Sequence, residues 1–149
     1  MMKANVGPVD RLVRATIVHM PRQLILPAVV MSLAFVSYTT GVWSERVQRD
    51  LRGWHVALFW LGLACDGYAT SLMGRLAAVG ETAGAAHTIT GVAAFGLMAV
   101  HAVWATSVFA LGSREARRDF HRYSIIIWLV WLVPYLGGMA AGIARGASG

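Results

Sequence analysis

Thirty-two consecutive residues, those between Glu81 and Arg114, carry no Asp, Glu, Lys or Arg. Two further runs of 22 residues without a formal charge lie between Arg22 and Glu45 and between Arg122 and Arg145. A helix needs roughly 20 apolar residues to cross a hydrocarbon core about 30 Å thick. A fourth stretch, 54–74, has that length and contains one carboxyl, Asp66. The expected spans are about 24–43, 54–74, 87–111 and 123–143. Only 13% of the chain is charged, against about 25% in an ordinary soluble domain.

Inside lipid every backbone amide must be paired, so a span is either a helix or a strand of a closed barrel. Barrel strands alternate apolar and polar residues over about ten positions, and these stretches are apolar throughout. The expected fold class is therefore an all-α membrane protein: one four-transmembrane-helix up-down bundle with an N-terminal extension, 1–23, and a short tail, 144–149. Residues 44–53 and 112–122 read as short polar connections between antiparallel neighbours, and 75–86 as a small-residue loop containing Gly80 and Gly84. Short connections favour up-down topology.

The net charge of +6 comes from arginines in loops and tails. Arg46, Arg49, Arg52, Arg114, Arg117, Arg118 and Arg122 fall on one membrane face, here face A. Lys3, Arg11, Arg14, Arg22, Arg75 and Arg145 fall on the other, face B. Seven against six is a narrow margin for face A in the cytoplasm; the expected location is the inner (cytoplasmic) membrane, multi-pass. Basic loops suit anionic lipid, and no nucleic-acid partner is expected. Residues 1–23 alternate basic and apolar positions, consistent with an interfacial amphipathic helix or an unstructured tail. No small-residue cleavage site follows the first apolar run, so a cleaved signal peptide is not expected. Trp43, Trp54 and Trp104 mark the face A interface. Cys65 reads as a small packing residue.

Chemistry in such a chain is sought among ionisable residues at membrane depth, which are costly in lipid and usually face the bundle interior. His87 and His101 are 14 residues apart, within about 40° on one helix face and roughly 21 Å apart along the axis. His55 and His121 precede the second and fourth spans on face A, and His101 returns to that half, so three histidines gather there. His87 lies near face B, with His19 of the tail as its nearest possible partner. Asp66 shares a face with His55 near mid-membrane. It could orient an imidazole, relay a proton, or join helices through Thr39, Thr40, Ser71 or a histidine. Neutral imidazoles ligate haem iron and other metals. The chain has no CxxC, no CxxCH and no glycine-rich phosphate loop.

Several strings together resemble a known family. They are Tyr38-Thr39-Thr40-Gly41-Val42-Trp43-Ser44-Glu45; Trp54-His55 with Phe59-Trp60-Leu61-Gly62 and Asp66; His87-Thr88-Ile89-Thr90-Gly91; His101-Ala102-Val103-Trp104; and Phe120-His121-Arg122-Tyr123-Ser124 with Trp128 to Pro134. Their order over about residues 30–141 is similar to that of the HsmA-like family of small four-helix integral membrane proteins. That resemblance implies a fold more firmly than a function.

The functional expectation is haem b bound by His101 with His55 or His121, with His87 as a further candidate, serving electron transfer or a respiratory complex. One alternative is a non-catalytic accessory or assembly subunit, or a homo-oligomer, in which the histidines and Asp66 only join helices. Another is copper or a different metal at His55, His101 and His121. No catalytic residue is expected, and an enzyme is not the leading reading.

Overall fold

The computed structural model describes residues 22–78 and 85–147. The expected N-terminal amphipathic helix, His19 and the centre of the second loop lie outside these residues. Among the described residues there are four helices and no strand: α1 (Arg22–Gln48), α2 (Gly53–Ala78), α3 (Ala85–Leu111) and α4 (Arg114–Ala147). All four are long and apolar enough to cross a membrane. α1 packs on α2, α2 on α3, α3 on α4, and α4 back on α1, the ring expected of an up-down bundle.

Several boundaries differ from expectation: residues 75–78 and 85–86 extend α2 and α3 into the expected second loop, and 144–147 extend α4 into the expected tail. Residues 44–48 continue α1, and 114–122 belong to α4 rather than to a connection. The α4 extension has a local cause. The Ser113 hydroxyl accepts the Ala116 amide at 3.1 Å, and the Ser113 carbonyl accepts the Arg117 amide at 3.1 Å. This is an N-cap, and Glu115 in the first turn suits the helix dipole. The first connection shrinks to 49–52. Arg49 there has φ 48°, a left-handed conformation uncommon outside glycine. α1 and α4 run on through Pro27 and Pro134.

The exterior and interior exchange their usual characters. Val133 is 70% exposed, Val100 67% and Leu33 53%, while Glu45, His55, Asp66, His101 and Ser124 are buried. In water such an apolar exterior would be a large adhesive patch. In lipid it matches its solvent, and the ionisable groups turn inward. The chain is a multi-pass membrane protein.

With little hydrophobic drive between helices in lipid, close backbone approach matters. A Cβ on Gly62 would lie 2.5 Å from the Tyr38 ring, and one on Gly41 would lie 2.6 Å from the Phe59 ring. These two contacts fix the register of the α1–α2 hairpin and bring Glu45 level with His55. Tyr38 then meets Trp131 edge to face, with ring centroids 5.0 Å apart.

Candidate functional site: two buried polar layers

The deeper layer is centred on Asp66. Its carboxylate accepts the Trp131 indole N–H at 2.9 Å, the Thr70 hydroxyl at 3.3 Å and the Tyr38 hydroxyl at 3.5 Å. Tyr38 comes from α1 and Trp131 from α4, so one carboxyl ties three helices together. None of the partners expected from sequence is used. Thr39 instead accepts the Trp128 indole N–H at 3.2 Å. Asp66 therefore has a structural post, with its acceptor capacity engaged by three donors.

The second layer lies in the face A half. His101 is fully buried, with Phe59 at 4.7 Å and Phe120 stacked on it at 5.5 Å, ring centroid to centroid. Its Nε2 lies 3.2 Å from the Ser124 hydroxyl, and its Nδ1 is buried without a hydrogen-bond partner. The carboxyl of Glu45 lies beside the same hydroxyl. Neither Glu45 oxygen, however, has a partner in hydrogen-bond geometry. Carboxyl, hydroxyl and imidazole thus lie in sequence, from α1, α4 and α3.

Glu45 escaped the sequence reading because it borders the charged first loop. The spacing of Ala34, Tyr38, Val42 and Glu45, all fully buried, places it on the inward face of α1 at helical period. The corresponding stripe on α4 is Phe120, Ser124, Trp128 and Trp131.

The structure separates the three face A histidines. The His55 Nδ1 accepts the Arg52 amide at 3.0 Å, the back-bond of a capping box at the start of α2. A neutral imidazole used in this way carries its proton on Nε2, and that buried Nε2 has no partner. His121 is half-buried and donates from Nδ1 to the Arg118 carbonyl one turn earlier. It lines an open groove with the loop arginines. Among the described residues no ring contact or hydrogen bond joins these histidines to one another, and no three His, Cys, Asp or Glu side chains are placed to hold a metal ion. The three-histidine metal set is not assembled. At the other end, His87 packs on Gly138, where a Cβ would lie 2.6 Å from the imidazole.

Haem b fits these residues poorly. The free nitrogen of His55 bears the proton, so it offers iron no lone pair. The free nitrogen of His101 is Nδ1, adjacent to the Cβ attachment, and Phe59 and Phe120 cover the ring. Only His121 has the donor arrangement common to ligating histidines, Nδ1–H to a backbone carbonyl. Comparison with protein-family models, curated proteins and solved structures gave no match.

Proposed function

We propose that this membrane protein binds and passes a proton at the buried Glu45–Ser124–His101 layer, as a small accessory component of a membrane complex. The observation that carries this reading is the pair of orphaned groups: both Glu45 oxygens and the His101 Nδ1 are buried without partners, on either side of one hydroxyl. Unsatisfied buried polar atoms call for a specific reason, and ionisable groups at membrane depth are the first candidates for function. A proton released from the Glu45 carboxyl reaches His101 when the Ser124 hydroxyl accepts it and gives up its own. The products are a carboxylate and an imidazolium, and the summed charge of the layer is unchanged. A small rotation of Ser124, or one bridging water, completes the path.

Infrared difference spectroscopy across a pH step tests this. A carboxyl C=O band that titrates in the wild type should vanish in Glu45→Gln and persist in Asp66→Asn. No titrating carboxyl band, or a band lost only with Asp66, sinks the reading.

A second reading, electron transfer through haem b held by His101 and His121, is favoured by the His121 donor arrangement alone. It requires the Phe59–Phe120 packing to open. Reduced-minus-oxidised absorbance decides it, because a colourless protein expressed with haem supplied excludes it. Membership of the HsmA-like family is likewise proposed on the order of the motifs, as is placement in the inner membrane with face A in the cytoplasm.

A further inference from the structure

The first and third connections meet at face A. The Phe109 ring, near the end of α3, lies 3.2 Å from where a Cβ on Gly53 would stand, and the Arg117 guanidinium lies over that ring, 5.3 Å from its centroid. Arg117 also lines an open groove of about 1020 Å³, whose walls carry seven arginines and two aspartates. The aspartates pair within their own segments, Asp50 with Arg52 at 3.6 Å and Asp119 with Arg122 at 4.0 Å. Arg46, Arg49, Arg114, Arg117 and Arg118 have no carboxylate partner among the described residues. Five uncompensated guanidinium groups, from the end of α1, the first connection and the start of α4, therefore line one cavity.

Two further features show a site rather than a scattered basic surface. The Arg117 Nε is buried without a partner, and its guanidinium is held by the Phe109 ring, so its direction is fixed. Arg49 occupies a left-handed backbone position, φ 48°, that glycine would occupy without strain, and its side chain lines the groove.

The groove opens at the ends of the spans, level with the interfacial Trp43 and Trp54, which are 45% and 42% exposed. At that depth a bilayer presents phosphate. Guanidinium forks match phosphate oxygens two at a time, and basic pockets at the ends of transmembrane helices suit multiply charged headgroups. We infer that the groove between the α1–α2 turn and the start of α4 is a binding site for an anionic phospholipid headgroup, best filled by a lipid carrying two phosphates.

The test is native mass spectrometry of the full chain released from detergent, with cardiolipin, phosphatidylglycerol and phosphatidylcholine supplied separately, and with inorganic pyrophosphate as a soluble competitor. One cardiolipin per chain should be retained, ahead of phosphatidylglycerol and far ahead of phosphatidylcholine. Arg114→Gln and Arg118→Gln should each weaken retention roughly five-fold, whereas Arg75→Gln, at the far end of α2, should not. Arg49→Gly should weaken retention while raising thermal stability, so loss of lipid cannot be ascribed to loss of fold. Equal retention of all three lipids overturns the inference. So does retention unchanged in the groove variants, or stoichiometric pyrophosphate binding that displaces cardiolipin.

Discussion

The rings of His101 and Phe120 lie 8° from parallel at 5.5 Å, and Phe120, itself 1% exposed, covers one face of the buried imidazole. The residue that follows Phe120 in sequence, His121, lines the arginine groove. One turn of α4 therefore carries both a cover of the buried layer and part of the groove wall. Phe120→Ala should remove that cover. His101, protected in the wild type, should become reactive to diethylpyrocarbonate, as read by mass spectrometry of the modified peptide. The stability loss should be about 3 kcal/mol or less, the lower end for truncating a buried Phe, because lipid gives no hydrophobic drive to helix association. An unreactive His101 would show that another group closes the layer.

Tyr38 and Gly62 set the spacing of the first hairpin. Gly62→Ala places a methyl group 2.5 Å from the Tyr38 ring, which cannot be absorbed without separating α1 from α2. Thermal unfolding in detergent should shift down by several degrees. Gly74→Ala, where nothing lies within 4 Å, should leave the midpoint unchanged or raise it slightly through better helix propensity. Equal responses at both positions would mean that the register is set elsewhere.

Asp66 acts through its acceptor oxygens. Asp66→Asn keeps one acceptor and should be tolerated better than Asp66→Ala. Trp131→Phe, which deletes a single 2.9 Å donor, should cost about 0.6–1.7 kcal/mol, the range for interhelical hydrogen bonds in membranes. A double-mutant cycle between Asp66→Ala and Trp131→Phe measures the coupling directly. A coupling energy near zero would remove the three-helix tie.

His55 serves the start of α2. His55→Gln should preserve the back-bond to the Arg52 amide, as Gln does in a capping box, while His55→Ala should lose about 1 kcal/mol of stability. If both variants lose the same amount, the orphaned Nε2 rather than the cap gives His55 its value.

The sequence revealed the spans because charge is the costliest thing to place in lipid. Its absence over the 32 residues between Glu81 and Arg114 is what a membrane-crossing helix requires. The burial of Asp66 and His101 was also legible, since each stands alone in an apolar run. Glu45 was hidden by the arginines beside it, although its spacing from Ala34 and Tyr38 put it on the inward stripe. The separation of His55 from His101 was not legible at all. Both belong to the same half of the membrane, and axial depth says nothing about which way a ring nitrogen points or whether a backbone amide already holds it. Likewise, Trp131 lies 65 residues from Asp66, and no local pattern pairs them.

The tie at Asp66 also bears on how the chain reaches its final state in the cell. Synthesis delivers α1 and α2 before α4, so of its three donors Asp66 enters the bilayer with only Tyr38 and Thr70. Its nearest donor, Trp131, arrives only with α4. A nascent chain stopped before Trp131 therefore carries an under-satisfied carboxyl in lipid, a mark by which quality-control proteases can tell an unfinished copy from a finished one.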